Sequence, residues 1–388
     1  MMYDFQKAPA RWQTDSVKWD IKPGELPLWI ADMDFFTAPE IIAALQKKLE
    51  LGAFGYETPH QDYFQAVAEW YTREHQSRPQ IDWFLFATGV IPALSAIVRH
   101  LTQAGDQILV QAPVYNIFYH SIENNGRRSV VNELYYQAGE YQIDWADLAT
   151  KLADPLTTMM ILCNPHNPVG KVWTSIEIQK IAQLCQDNQV ILVADEIHGD
   201  LVWAGPDYTP TFSLPEKLRR STITLVSPSK TFNLAALHAA TVIVPDPDLR
   251  ARVEQGLNLA EVAEPNLLAL PGTIAAYSQG QNWLAELKQQ LRANYTQAIE
   301  FIKQELPTIR VVSSRATYLL WLDVQVLTSS ATDLATHLRT ETGLILNAGT
   351  VYRGNGKHFL RLNFACPPEM LADGLQRLRQ GISTYQAK

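Results

Sequence analysis

Short apolar runs alternate with amphipathic segments along the chain up to about residue 270. The runs predict buried strands at 84–87, 107–111, 158–163, 190–194, 223–226 and 241–244. Segments in which apolar residues recur every three or four positions predict helices at 41–51, 91–101 and 176–185. Strands that alternate with helices are typical of an α/β fold, in which a mostly parallel sheet is covered by helices on both faces.

The pattern changes at about Pro271. Long helical segments follow, and then two apolar stretches at 311–323 and 357–364. A chain of 388 residues is longer than the size at which a single hydrophobic core stops growing. We therefore expect a second, smaller domain in the C-terminal part of the chain.

Composition argues against several classes of protein. The chain is 47% hydrophobic and 19% charged, as ordinary globular proteins are. The formal net charge is −8 and no face is rich in lysine and arginine, so we expect no nucleic-acid partner. No apolar run is as long as a membrane span, and the first residues lack the core of a signal peptide. We therefore expect a cytoplasmic protein without a membrane partner.

The cysteines indicate a reduced protein. Cys163, Cys185 and Cys366 are odd in number and lack the spacing of a disulfide framework or a zinc site. Cys163 lies in an apolar run, which favours a buried thiol over a nucleophile. We expect no metal site.

Two charged residues directly after predicted strands carry the candidate chemistry. Lys230 follows the run at 223–226, and Asp195 follows the run at 190–194. Ligands of parallel sheets collect outside the carboxyl ends of the strands, so we expect the two side chains to meet there. An enzyme that uses pyridoxal 5′-phosphate (PLP) needs a lysine to form a Schiff base with the aldehyde and a carboxylate to pair with the pyridinium nitrogen.

Six segments together resemble one family. They are 28–35, 54–56, 163–173, 195–198, 228–234 and 361–367. In this order they are similar to the MalY/PatB-like carbon–sulfur lyases, the cystathionine β-lyases of the fold-type-I PLP-dependent aminotransferase superfamily. The match runs from near the start of the chain to near its end.

The resemblance implies a fold and its domains. The fold-type-I transferases have a large domain with a mostly parallel sheet flanked by helices, and a smaller α+β domain. On this basis we expect an N-terminal segment (1–48) that packs with the small domain, a large PLP-binding domain (49–280) and a C-terminal small domain (281–388).

The resemblance also implies contacts to the PLP ring. Asn167 is expected to donate a hydrogen bond to the 3′ oxygen, although an Asn-Pro pair is also a common turn. Tyr115 is expected to stack on the pyridine ring, although an aromatic residue after a strand often only packs in the core. His198 stands where the aminotransferases carry a tyrosine that contacts the ring oxygen, and it serves the cofactor, the substrate or packing.

The phosphate of PLP needs several hydrogen-bond donors, and a helix N-terminus supplies them well. Gly89, Val90 and Ile91 resemble the phosphate loop of the family, where glycine lets the backbone approach. The hydroxyls of Ser227 and Ser229 are candidates for the same group.

Two further residues concern the phosphate and its countercharge. Tyr56 is expected to reach the phosphate site of a second subunit, as in family dimers, with a surface tyrosine as the alternative. Many aminotransferases have a phosphate-binding arginine eight residues after the lysine, where this chain has His238. The role of His238 stays open.

Substrate contacts follow from the same resemblance. Arg361 is expected to bind the α-carboxylate, because a guanidinium offers two parallel donors that orient a carboxylate. Trp29 and Tyr119 are candidates for the wall of the substrate pocket, with packing as an equal alternative. Asp32 and Asp34 lack histidine partners for a metal, so we expect them to cap a loop over the site.

The resemblance implies a β-lyase that cleaves L-cystathionine or related cysteine S-conjugates to a thiol, pyruvate and ammonia. Lys230 would remove the α-proton, Asp195 would support the ring, and Tyr56 would complete the site of a homodimer. An aminotransferase is the first alternative, because it uses the same lysine and ring. A regulatory binding protein on the same fold is the second.

Overall fold

The predicted alternation of strands and helices is present in the structure, a computed structural model that describes residues 3–386. The strands are β1 (Leu26–Pro27), β2 (Phe84–Ala87), β3 (Gln107–Ala112), β4 (Arg128–Glu133), β5 (Tyr135–Gln137), β6 (Glu140–Gln142), β7 (Thr157–Cys163), β8 (Ile191–Asp195), β9 (Thr222–Val226), β10 (Ala240–Ile243), β11 (Arg310–Val311), β12 (Leu319–Asp323), β13 (Leu344–Ile345), β14 (Asn347–Ala348) and β15 (Phe359–Asn363). The helices are α1 (Pro39–Leu49), α2 (Gln61–His75), α3 (Val90–Leu101), α4 (Ile117–Glu123), α5 (Trp145–Leu152), α6 (Ser175–Asp187), α7 (Glu216–Arg219), α8 (Pro247–Leu259), α9 (Ala269–Gln279), α10 (Gln281–Glu305), α11 (Ala331–Thr342) and α12 (Pro368–Gln386).

A seven-stranded sheet forms the centre of the large part of the chain, in the order β2-β10-β9-β8-β7-β3-β4. Neighbours from β4 to β9 are parallel, and β10 runs antiparallel to both β2 and β9. The prediction of a mostly parallel sheet is therefore confirmed. Its central strands read as continuous apolar runs because helices cover both faces.

The six predicted strands of this sheet lie within one residue of the observed ones. The strand that the sequence did not reveal is β4. Only Asn132 in it is buried, because β4 pairs with β3 alone at the edge of the sheet. An edge strand need not carry the long apolar run by which buried strands are recognised.

Helix starts differ slightly from the prediction for local reasons. Helix α1 begins at Pro39, two residues before the predicted start at 41, because proline is well suited to the first turn of a helix. Helix α6 begins after a capping box, in which Thr174 and Glu177 satisfy each other's backbone N–H groups.

A second sheet lies in the C-terminal part, in the order β11-β12-β15-β14, and its neighbours are all antiparallel. The apolar stretch 311–323 is split between two strands, because residues 313–317 bond elsewhere. The N–H of Arg315, for example, donates to the carbonyl of Gly170. Strand β1 pairs in parallel with β13, which joins the N-terminal segment to this part of the chain. The proposed domain limits stay a prediction.

None of the helices within residues 3–386 is long and apolar enough to cross a membrane. In the same part of the chain, no three histidine, cysteine or acidic side chains are grouped closely enough to hold a metal ion. The three cysteines are buried and unpaired with each other. The cytoplasmic location stays a prediction.

Candidate active site

Asp195 ends β8, and Lys230 follows β9. The two strands are parallel neighbours, so both residues lie at the carboxyl ends of the strands of the central sheet. Asp195 is the last residue of β8 and is 4% exposed. Burial raises the pKa of its carboxyl to about 6, and the N–H of Ile197 and the charge of Lys230 limit the rise. Burial also lowers the pKa of Lys230 to about 8, although the charges of Asp32 and Asp195 oppose this change.

The amine of Lys230 is held by a backbone carbonyl. Its Nζ donates to the carbonyl oxygen of Ala31 at 2.7 Å, and the hydroxyl of Tyr318 donates to the same oxygen at 3.1 Å. Ala31 belongs to residues 28–35, which form neither helix nor strand and which we name the strap.

Side chains from β15 and from the segment after β9 bind the backbone of the strap. Asn363 of β15 donates to the carbonyls of Ile30 and Asp32, at 2.6 Å each. Asn233, three residues after Lys230, donates to the carbonyls of Met33 and Phe35 and accepts the N–H of Met33. The strap is thereby fixed although it lacks regular secondary structure.

Charged side chains anchor the acidic residues of the strap. Lys18, with its side chain fully buried, lies 2.6 Å from the carboxylate of Asp34 and 3.3 Å from that of Asp32. Arg11 pairs with both carboxylates. The expectation that Asp32 and Asp34 cap a loop agrees with these contacts.

Arg361 projects from the middle of β15 and is 4% exposed. One terminal nitrogen donates to Oδ1 of Asn167 at 3.1 Å, and the other donates to the carbonyl of Trp29 at 2.9 Å. Its guanidinium carbon lies 5.0 Å from the ring centre of Tyr352. The buried Nε of Arg361 has no hydrogen-bond partner among residues 3–386.

These residues border a cavity of about 650 Å³. It brings together most of the side chains that the sequence analysis selected, namely Trp29, Gly89, Val90, Ile91, Tyr115, Asn167, Asp195, His198, Ser227, Ser229, Lys230 and Arg361. The convergence of a lysine, an acid and an arginine from three separate segments identifies the cavity as the candidate active site.

Comparison with known proteins assigns the family. The family model for aminotransferases of class I and II matches residues 25–378. The chain belongs to the class I and II aminotransferase family.

Several relatives of this chain are named cystathionine β-lyases. Cystathionine β-lyase PatB of Bacillus subtilis is 40% identical over 387 residues, which cover 98% of this chain and 100% of PatB. Protein MalY of Escherichia coli is 33% identical, over 98% of this chain and 99% of MalY. The predicted resemblance to the MalY/PatB-like lyases is therefore confirmed.

Solved structures of class I and II relatives have the same fold. Cystalysin from Treponema denticola, which contains a PLP cofactor, matches with a TM-score of 0.95 and 30% identity, over 99% of this chain and 100% of cystalysin. The PLP-bound C–S lyase of Staphylococcus hominis matches with a TM-score of 0.91 and 27% identity, over 98% of this chain and 99% of that one. The prediction of the fold-type-I fold is confirmed.

One end of the cavity of this aminotransferase-family chain is suited to a phosphate. Gly89 has φ +137° and directly precedes α3, whose first N–H groups belong to Val90 and Ile91. Ser227 and Ser229 line the same cavity, with their hydroxyls 2.9 Å apart. A helix N-terminus with free N–H groups and adjacent hydroxyls is a typical anion site.

The two histidines that line the cavity differ. His198 is 2% exposed, and burial together with the charges of Lys230 and Arg361 lowers its pKa to about 3, so it is neutral at pH 7. His238 is exposed and lines the cavity.

Two of the selected residues lie outside the cavity. Tyr56 is fully exposed in an irregular segment between α1 and α2. Tyr119 is 1% exposed and lies under the guanidinium of Arg353, 3.8 Å from its ring centre. Its hydroxyl has no hydrogen-bond partner within residues 3–386.

The cavity also includes residues that sequence reasoning missed. Asn116 and Ile117 follow Tyr115 directly, and that adjacency was a usable signal. Asn347 offered no signal, because it reaches the cavity only by pairing with Arg361 across β14 and β15. Ala31 contributes a backbone carbonyl, which no side-chain pattern reveals.

Proposed function

We propose that this chain is a PLP-dependent carbon–sulfur β-lyase that cleaves L-cystathionine or related cysteine S-conjugates to a thiol, pyruvate and ammonia. The observation that carries the proposal is the meeting of Lys230, Asp195 and Arg361 in one cavity of a chain that is 40% identical to a cystathionine β-lyase. The reaction of an amino acid substrate requires all three groups: an amine to accept the α-proton, an acid to pair with the cofactor and a guanidinium to bind the carboxylate.

The residues around the cavity fit PLP. Asp195 is suited to the ring nitrogen, Asn167 to the 3′ oxygen and Tyr115 to the face of the ring. The free N–H groups at the start of α3 suit the phosphate, together with Ser227 and Ser229. When bound, PLP withdraws electrons from the α-carbon of an amino acid.

Asp195 acts through its charge. Its pKa of about 6 leaves the carboxylate mostly ionised at neutral pH, so it can hold a proton on a ring nitrogen beside it. His198, which is neutral at pH 7, is suited to donate one hydrogen bond to the ring oxygen without adding a charge.

Lys230 acts as the base. A pKa of about 8 leaves a useful fraction of the amine neutral at physiological pH, and only the neutral amine can accept the α-proton of the substrate. The carbonyl of Ala31, which also accepts the hydroxyl of Tyr318, keeps the amine at the edge of the cavity.

Arg361 orients the substrate. Its Nε lacks a partner within the described residues, and its neighbour Tyr352 limits rotation of the guanidinium plane. A carboxylate that takes the place of the Trp29 carbonyl receives two parallel donors, which fixes the α-carbon relative to Lys230. Trp29 and Ile30 then form the wall on the substrate side.

We also propose a homodimer with shared active sites. Tyr56 is fully exposed, and Phe54 and Leu51 nearby are 70% and 66% exposed. A cluster of exposed apolar side chains is characteristic of a surface that another protein covers. In a dimer of this kind Tyr56 would complete the phosphate end of its partner's cavity. Sedimentation of the purified protein tests the dimer, and a monomer at micromolar concentration would contradict it.

Pyruvate release from L-cystathionine by the purified, PLP-loaded protein tests the function, with no keto acid added. We expect steady pyruvate formation that Lys230→Ala abolishes, because the base and the cofactor attachment are both lost. An aminotransferase would instead stop after one turnover and resume only when a keto acid is supplied. That result would overturn the lyase assignment.

A further inference from the structure

A buried carboxylate that the proposed reaction does not use lies close to the lysine segment. Asp200 lies five residues after Asp195, in a short 3₁₀ turn, and is 4% exposed. Burial raises the pKa of its carboxyl, but the hydrogen bonds from His75 and Trp70 outweigh that effect and the net shift is downward. Asp200 is therefore an ionised group inside the protein.

Three donors from two other segments satisfy this carboxylate. One oxygen accepts the indole N–H of Trp70 at 2.8 Å and contacts Nε2 of His75 at 2.7 Å, both from α2. The other oxygen accepts the hydroxyl of Thr231 at 2.8 Å. Lys288 of α10 adds a positive charge nearby. A buried ion that is this well bonded holds its partners firmly in place.

Thr231 directly follows Lys230 and is fully buried. The next residue, Phe232, packs edge-on against Trp70 with ring centres 5.5 Å apart. Thr231 thus bonds to Asp200, and Phe232 packs against Trp70, which itself donates to Asp200. Because Thr231 adjoins Lys230, its hydrogen bond restricts the backbone from which the long lysine side chain projects.

Asp195 and Asp200 belong to one continuous segment. The first faces the cavity, and the second holds the residue after Lys230. The segment 195–200 thereby couples the position of Asp195 to the position of Lys230, although Asp195 ends β8 and Lys230 follows β9.

We propose that Asp200 is a positioning residue that acts through the hydroxyl of Thr231 and sets the direction in which Lys230 approaches the aldehyde of PLP. In that step a C=N bond between Nζ and the aldehyde carbon would replace the C=O bond, and the aldehyde oxygen would leave as water with the two protons of the neutral amine. This inference rests on the proposed role of Lys230 and does not depend on which amino acid is the substrate.

The test compares two variants of Thr231 with one variant of a second buried threonine. Thr231→Val removes the hydroxyl at nearly constant volume, and Thr231→Ser keeps the hydroxyl. Thr241→Val is the matched control, because the hydroxyl of Thr241 is also buried, lies 2.9 Å from that of Tyr63 and does not line the cavity. For each variant we would measure PLP uptake by the cofactor-free protein from its visible absorbance, then Tm, kcat and KM.

We expect Thr231→Val to slow PLP uptake and to lower kcat by roughly tenfold each, with KM unchanged, because the amine is misdirected while the substrate contacts remain. Thr231→Ser should stay within about twofold of the unaltered protein in both measurements. Thr241→Val should lower Tm as much as Thr231→Val does but leave PLP uptake unaltered.

Equal PLP uptake by Thr231→Val and Thr241→Val would overturn the proposal and leave Asp200 a purely structural group. If Thr231→Val does not fold, Asp200→Asn is the second variant, since its amide keeps the shape but loses the charge. Normal uptake by folded Asp200→Asn would also overturn the proposal. Lys230→Ala separates the two claims: if it still binds PLP covalently, the role of Lys230 itself is wrong.

Discussion

The two walls of the active site are built differently. The cofactor wall comes from strand ends of the parallel sheet, where β8 and β9 bring Asp195 and Lys230 together. The substrate wall is the strap, which has no regular structure and depends on the amides of Asn363 and Asn233 and on the guanidinium of Arg361. Backbone pairing fixes the first wall, whereas side chains from distant segments fix the second. Substitutions should therefore affect chemistry at the first wall and substrate binding at the second.

The largest effect is expected at the cofactor wall. Asp195→Asn should lower kcat/KM for cysteine conjugates on the order of a thousandfold, because a neutral amide does not hold a proton on the ring nitrogen. Tm should change little, since the amide keeps the shape of the carboxyl group. Steady-state pyruvate formation measures the effect, and a loss below tenfold would contradict the role of Asp195.

A smaller effect is expected at the substrate wall. Arg361→Lys should lower kcat/KM about a hundredfold, mainly through KM, because an ammonium cannot offer two parallel donors to a carboxylate. The control is Arg379→Lys, since Arg379 pairs with Glu305 on the surface and should be neutral. An effect confined to kcat would show that Arg361 does not bind the substrate.

The pH dependence of kcat tests the role of Lys230 at the cofactor wall. Burial lowers the pKa of its amine to about 8, so the neutral, proton-accepting form increases as the pH rises through that value. We expect kcat to rise roughly thirtyfold between pH 6.5 and pH 9 and then to level off. A flat profile of kcat against pH would mean that removal of the α-proton by Lys230 does not limit turnover.

The smallest effect should come from loosening the strap. Asn363→Leu removes two hydrogen bonds to its carbonyls and should raise KM about tenfold with little change in kcat, since the wall moves but the cofactor contacts stay. Stability should fall by about 1–3 kcal/mol. Asn125→Leu is the control, because the one hydrogen bond that the Asn125 side chain donates within residues 3–386 goes to the carbonyl of Ser121 on α4. If both variants have the same KM, the strap does not shape substrate binding.

The same contrast explains what the sequence could predict. The cofactor wall could be predicted from the sequence because apolar runs indicate strands, and polar residues after these runs indicate the ligand-binding end of the sheet. The strap was accessible only as part of a family motif. Its partners Asn347 and Asn363 lie more than 300 residues away along the chain, and no local pattern reveals such contacts.

Tyr119 illustrates a limit of position-based inference. The residues that line the cavity at the start of α4 are Asn116 and Ile117. Tyr119 is two positions after Ile117, which is about 200° around a helix, so it faces the opposite side. There it packs beneath Arg353. Helical geometry places it apart from the wall for which it was a candidate and favours the alternative, packing.

The strap has a consequence for how such a protein diversifies. Lys230, Asn363 and Arg361 donate hydrogen bonds to carbonyl oxygens of the strap. Every amino acid has such a backbone carbonyl. Substitution of the side chain at Trp29 or Ile30 can therefore alter the shape of the substrate cavity without removing any of these hydrogen bonds. The backbone of the strap makes the contacts that hold it in place, whereas its side chains can change. New thioether preferences can therefore evolve through these side chains while the catalytic lysine keeps its position.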